Sequence, residues 1–302
     1  MNIFITGGTG LIGQALIPVL LNQQHQLSLL TRSEKKARRL FPQKNLRFFT
    51  SLTALKNLDE FDVVINLAGE PIFAKAWSEA QKATLFNSRV KLTEQIALLI
   101  NAGLNPPRLI SASATGIYGD GGDQLMNDEN STAFNTFSAR LCQAWESAAL
   151  QAKTTVCLLR TGIVLSPKGG ALAKMLPLYR LNLAGRLGSG KQYWAWIALE
   201  DAVNAVLFLI SNLDYKGIYN LTAPHPVTNS EFNQELAAAL HRCAPFPVPA
   251  FALKLALGER ADMLLESQNV FPKRLLEAGF KFQYVNLKQY FTSLCGVVTI
   301  FA

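Results

Sequence analysis

"MNIFITGGTGLIGQ" (Met1–Gln14) is the stretch whose reading decides the fold. "NIFIT" is a short β-rich run, glycines come after it, and "LIGQALIPVLLNQQ" then places apolar residues at helical spacing, so the order is strand, turn, helix. Gly7, Gly10 and Gly13 stand at G-x-x-G-x-x-G spacing between strand and helix. In such a place the first glycine permits a tight turn, the second lets backbone N–H groups approach a pyrophosphate, and the third lets the helix lie close to the strand. A phosphate there sits at the positive end of the helix, where orphan N–H groups need acceptors. Gly7, Thr9, Gly10, Leu11, Ile12 and Gly13 are therefore candidate cofactor-binding residues, against the plainer reading of an ordinary turn.

The downstream chain supports the first reading. "QLSLLTR" reads as a second strand, a basic helix starts at about Ser33, and "LRFFT" and "FDVVINLAG" are two further strands, the latter an almost unbroken apolar run of the kind a parallel sheet covered on both faces requires. A long helix through "NSRVKLTEQIALLINAG", a strand "PRLISASA", a helix around "FSARLCQAWESAALQA" and a strand "TTVCLLRTGIVL" continue the alternation. The expected fold class is α/β: a Rossmann-type doubly wound parallel sheet with a smaller, mainly helical C-terminal substrate domain. The rhythm breaks after "SPKGGAL", and a proline-rich connection "APHPVTNSEF" opens a second module, with Thr228 and Glu231 at capping-box spacing. The expected partition is residues 1–166 and 196–224 for the nucleotide-binding domain and 167–195 and 225–302 for the substrate side.

The cofactor type is read from the end of the second strand. An NAD-binding protein usually offers an Asp or Glu there, about 20 residues past the glycines, to hold the ribose 2′-hydroxyl. This chain offers Thr31, Arg32 and Ser33. A guanidinium and a hydroxyl suit a 2′-phosphate, since Arg contacts phosphate oxygens bidentately, and NADP(H) is preferred over NAD(H).

Composition excludes other classes. The chain has 302 residues, 49% hydrophobic and 17% charged, with no run of roughly 18 apolar residues, so a membrane partner is not expected. Met1–Ile5 lacks a basic leader and enters the glycine motif directly, unlike a signal peptide. Cys142, Cys157, Cys243 and Cys295 form no C-x-x-C pair, and His25, His225 and His241 are scattered, so neither a zinc site nor a disulfide framework is expected and a reducing cytoplasm fits. The net charge of +8 is spread along the chain apart from "RSEKKARR", and no nucleic-acid partner is expected.

"TGGTGLIG", "VVINLAG", "ISASATGIYG" and "LRTGIVLSPKGGAL" resemble the extended short-chain dehydrogenase/reductase superfamily, which includes the nucleotide-sugar epimerases. More closely, "GSGKQYWAWI", "PVPAFALKLALGE" and "PKRLLEAGFKF" are similar to the later motifs of an atypical epimerase-like subfamily with its own C-terminal domain of unknown function. Only the tail "CGVVTIFA" is off-pattern. The resemblance implies that Asn66, Leu67, Ala68 and Gly69 line the cofactor and that the segment from Arg160 passes beside the nicotinamide.

The resemblance also raises a difficulty. Hydride-transferring members use a Ser with a Tyr-x-x-x-Lys pair; Ser113 takes the serine position, but Ser138 and Cys142 stand where Tyr and Lys are expected, and Arg89 replaces an upstream Asn. The subfamily resembles this chain in its Cys and Arg. A serine hydroxyl has no accessible pKa near neutrality, so ordinary alcohol–ketone chemistry is in doubt. The candidate catalytic residues are Ser113, Cys142, Arg89 and Tyr118: Cys142 as acid or nucleophile if Arg89 lowers its pKa, Tyr118 as a surrogate acid on the loop leaving the strand. A buried cysteine is otherwise a small core residue, and a tyrosine there otherwise lines the pocket. Two functions stay open: an NADP(H)-dependent epimerase- or reductase-type enzyme acting on a small polar substrate, such as a nucleotide-linked sugar, in a cleft between the domains; or a non-catalytic NADP(H)-binding regulator. A homodimer through the helices at about residues 87–102 and 137–153 is expected by family analogy.

Overall fold

The computed structural model describes residues 1–43, 45–130 and 134–298, and, of residues 295–298, the backbone alone; the last four residues of the tail "CGVVTIFA" lie outside that set. The strands are β1 (Asn2–Thr6), β2 (Gln26–Leu30), β3 (Leu46–Phe49), β4 (Val63–Asn66), β5 (Arg108–Ala114), β6 (Val156–Thr161), β7 (Ile163–Ser166), β8 (Tyr193–Trp194), β9 (Trp196–Ala198), β10 (Gly217–Leu221) and β11 (Val227–Thr228). Seven of them form one sheet in the order β10-β6-β5-β4-β1-β2-β3, and β3, β2, β1, β4 and β5 run parallel. The direction of strand succession reverses between β1 and β4, the switch point at which open α/β sheets bind ligands.

The helices that position the site are α1 (Leu11–Asn22), α2 (Glu34–Leu40), α3 (Glu79–Phe86), α4 (Leu92–Asn101) and α5 (Phe137–Leu150). The long helix expected from residue 87 starts instead with a π-helical turn, Asn87–Lys91, that joins α3 to α4. Phe4, Val64 and Leu109 from the sheet, Ile96 and Ile100 from α4, and Ala149 from α5 build one apolar core.

Two compact units are formed. The first comprises residues 1–113, 141–160 and 203–218 and holds the glycine loop with β1 to β4; the second comprises 114–140, 161–202 and 219–302. These limits differ from the partition that strand rhythm predicts. Segment 114–140 belongs with the second unit because its loop pairs by backbone with a strip near residue 268: Gly121 N donates to Ser267 O at 2.9 Å and Met126 N to Asn269 O at 2.8 Å.

The run "TTVCLLRTGIVL" is not one strand. Gly162 separates β6 from β7, and β7 pairs with β9 in a small parallel sheet of its own. A Cβ at Gly162 would lie 2.5 Å from the Ala195 carbonyl oxygen, so the crossing needs a glycine. Trp194, Trp196, Phe232, Tyr290 and Phe291 form the core of the second unit, and the capping box is present: Glu231 N donates to Thr228 Oγ1 and Thr228 N to Glu231 Oε2.

Candidate functional site

At the carboxyl end of β1, Gly7 makes the tight turn and Gly13 the close approach that the glycine spacing predicts. Gly7 has φ +71°, and a Cβ there would meet the Leu67 carbonyl carbon at 2.4 Å; a Cβ on Gly13 would come within 2.6 Å of Gly8 Cα. The chain is thus drawn tightly between β4 and α1. Gly10 N donates to Gly7 O at 2.9 Å, and Gly10 is the N-cap of α1 with no side-chain acceptor and no acidic residue in the first turn. By contrast, α2 and α3 are capped by Ser33 and Ser78. The first-turn N–H groups of Leu11, Ile12 and Gly13 therefore keep their demand for an acceptor.

Arg32 stands just past β2 with its side chain 92% exposed, and Nη1 lies 3.3 Å from Glu70 Oε2. Ser33 Oγ accepts from Lys36 N and serves as a helix cap, leaving its proton for another acceptor. Asn66 is buried at the end of β4: Oδ1 accepts from Thr6 Oγ1 at 2.6 Å, and Nδ2 donates to Thr93 Oγ1 at 2.8 Å and Ser111 Oγ at 3.2 Å. Its side chain ties three adjacent strands to α4. What reaches the glycine loop from this segment is backbone, that of Leu67 and Ala68 against Gly7.

Gly69 is needed for a different neighbour, since a Cβ there would lie 2.9 Å from Arg89 Cζ. The π-helical turn carries Arg89 inward: Nη2 donates to Glu70 O at 2.9 Å and the guanidinium lies over the Trp145 ring at 5.3 Å. Burial pulls the Arg89 pKa below its ordinary value, opposed by charge interactions with Cys142 and Glu70. The structure thus brings Arg89 and Cys142 together, with Cys142 itself 5% exposed.

Ser113 is 3% exposed and donates to Glu146 Oε1 at 2.7 Å. Arg160 grips the same carboxylate with two donors, Nε to Oε1 at 2.8 Å and Nη2 to Oε2 at 2.9 Å. Glu146 is the residue sequence reasoning missed. The signal was available: Glu146 stands four residues after Cys142 on the buried face of α5. In the second unit, Tyr118 is fully buried with its hydroxyl within reach of Asn127 O at 3.0 Å and Asn220 Oδ1 at 2.9 Å. Its polar tip is satisfied internally. Among the described residues, no group of three or more His, Cys, Asp or Glu side chains is arranged to hold a metal ion, and no helix is long and apolar enough to cross a membrane.

A parallel sheet reversing beside β1, with a glycine loop leading into an uncapped helix, defines a nucleotide-binding α/β protein of Rossmann type. The chain belongs to the NAD-dependent epimerase/dehydratase family, whose model matches residues 3–222, and a domain of unknown function matches residues 248–294. It is similar to the chloroplastic homologue of the epimerase family protein SDR39U1 from Arabidopsis thaliana, at 40% identity over 95% of this chain and 85% of that one. An epimerase family protein of Mycobacterium bovis is 41% identical over 93% of each chain. Among solved structures, human epimerase family protein SDR39U1 with NADPH aligns at a TM-score of 0.90 and 30% identity, covering 98% of this chain and 99% of that one.

Proposed function

We propose that this protein binds NADP(H) and works as an epimerase- or reductase-type enzyme on a small polar substrate, a nucleotide-linked sugar being the candidate class. The observation that carries the cofactor half is the pairing of the uncapped first turn of α1 with an exposed arginine, not a carboxylate, at the end of β2. The Gly7–Gly13 loop and the first turn of α1 would hold the diphosphate, and Arg32 with the Ser33 hydroxyl the 2′-phosphate. The NADPH complex of the human relative supports the choice. Bound there, the cofactor would supply hydride transfer, and the chain's part is to hold it and manage protons near Arg89 and Cys142. A dimer through α4 and α5 is supported by Leu98 and Leu150, which stand exposed on those helices. A cytoplasmic setting is supported by Cys142, Cys157 and Cys243, which are thiols and not disulfides.

The second reading, a non-catalytic NADP(H)-binding regulator, draws on one specific observation. Ser113 donates its proton to a buried carboxylate that Arg160 already neutralises, so it is held as a structural donor. Calorimetric titration with NADPH and NADH tests the cofactor half. Arg32→Ala should weaken NADPH about tenfold or more, the worth of a hydrogen bond to a charged group, and leave NADH within about twofold. Equal loss for both nucleotides would remove Arg32 as the 2′-phosphate reader. A screen of nucleotide sugars and small carbonyl compounds for NADPH consumption or epimerised product, repeated with Cys142→Ala, separates enzyme from regulator.

A further inference from the structure

In the sheet β1 lies between β2 and β4, so the residues just past β2 and β4 flank the glycine loop from opposite sides. Arg32 comes from one side and Glu70 from the other, and their side chains meet at 3.3 Å. The pair is unequal. Glu70 is fixed by its backbone, its N–H donating to Ser88 Oγ at 3.0 Å and its carbonyl accepting from Arg89 Nη2 at 2.9 Å, and its side chain is only 15% exposed. Arg32 is 92% exposed, and Glu70 is its sole ion-pair partner among the described residues. When an anion arrives, the mobile partner is Arg32.

We propose that Glu70 is a cofactor-selectivity residue: a fixed carboxylate that competes with the cofactor's 2′-phosphate for Arg32. This rests on the NADP(H) reading above. In the nucleotide-free protein Arg32 is held on Glu70. A 2′-phosphate displaces Glu70 because a dianion gripped bidentately outcompetes a single exposed carboxylate, and the lost pair is subtracted from the affinity. NADH has no group to claim Arg32 and leaves the pair in place. Glu70 thus keeps NADP(H) exchangeable, recapturing Arg32 as the phosphate leaves.

The test is calorimetric titration of the full chain with NADPH and NADH for the natural protein, Glu70→Gln, Arg32→Ala and the double variant. Glu70→Gln should tighten NADPH about two- to fivefold, the range of an exposed ion pair, with NADH changed by less than about twofold. The tightening should vanish in the Arg32→Ala background, because the competition has lost its object. If Glu70→Gln tightens both nucleotides, or still tightens NADPH without Arg32, the carboxylate acts as a general negative charge and the proposal is overturned. Unchanged or weaker NADPH binding overturns it as well. Glu70→Asp, whose shorter carboxylate falls short of Arg32, should reproduce the gain and guards against a folding defect in Glu70→Gln. NADPH binding that depends on Arg32 and ignores Glu70 sinks this inference alone, whereas a natural protein that binds neither nucleotide sinks the cofactor reading and this one with it.

Discussion

Ser113 Oγ sits 2.7 Å from Glu146 Oε1, and the same carboxylate is held from its other side by the guanidinium of Arg160. A strand end, a helix and the next strand are thereby joined through one buried charge.

Removing Arg160 should be costly, because it strands Glu146 as an uncompensated anion in the interior. Arg160→Ala is expected to lose about 3–5 kcal/mol of unfolding free energy in a denaturant titration. Arg160→Met combined with Glu146→Leu and Ser113→Ala should recover much of it, since an apolar set of similar volume carries no desolvation cost and leaves no buried hydroxyl without an acceptor. A loss below about 1 kcal/mol for Arg160→Ala is what a solvent-screened pair gives, and would contradict the burial of this one.

The glycine loop predicts a split between stability and binding. Gly7→Ala must adopt φ +71° against the Leu67 carbonyl, and Gly13→Ala presses on Gly8, so each should lower stability by about 1–3 kcal/mol. Gly10→Ala meets only the Gly7 carbonyl oxygen at 3.2 Å and should fold nearly normally. Gly10 is the N-cap of α1, in the loop proposed to hold the diphosphate, so NADPH binding should fall by more than stability does. Thermal melts and titrations on the same samples compare the two quantities directly.

Glu266 gives the protein a pH dependence with a definite sign. Burial, with Asp262 and Asp120 nearby, raises its pKa from 4.5 to about 7, and its Oε2 finds no donor among the described residues. A carboxyl whose pKa is higher folded than unfolded binds more protons in the folded state between those two values. Its contribution therefore favours folding at low pH and is lost as pH rises from about 4.5 to about 7, on the order of 3 kcal/mol in all. Burial moves Asp128 and Asp201 in the same direction. Glu266→Gln should flatten stability against pH across this window, and an unaltered profile would show that Glu266 does not titrate there.

Thiol labelling of the native protein bears on the chemistry. Cys243 is exposed, whereas Cys142 and Cys157 are buried, so iodoacetamide should modify Cys243 before these two and reach Cys142 only on opening. Mass spectrometry of timed samples gives the order. Early modification of Cys142 would mean an accessible thiolate beside Arg89 and would favour a nucleophilic role.

Much of the fold is legible in the sequence because it rests on local periodicity. The glycine spacing, the apolar run of β4 and the Thr228–Glu231 cap each lie within a short window whose geometry the backbone dictates. Arg32 is legible for the same reason, being placed by the end of one strand. The rest depends on partners distant in sequence. Nothing local ties Glu146 to Ser113, 33 positions away, or Glu70 to Arg32, 38 positions away. Family resemblance points Asn66 at the cofactor, but its side chain is taken up by Thr6, Thr93 and Ser111, a choice made by the strands that pair beside it. The break at Gly162 is hidden because β6 and β7 together keep the apolar character of one long strand.

The π-helical turn at Asn87–Lys91 has a mechanical corollary. One surplus residue in a helix offsets the angular phase of the two flanking segments by about 100°. Here that offset lets α4 keep Ile96 and Ile100 against the sheet while Ser88 and Arg89 swing onto the backbone of Gly69 and Glu70. Shortening the turn by a single residue would restore regular winding and cost little helix, yet it would force a choice between the two alignments. The turn works as a phase adjuster, letting one continuous rod satisfy a hydrophobic interior and a polar rim that lie at incompatible angles.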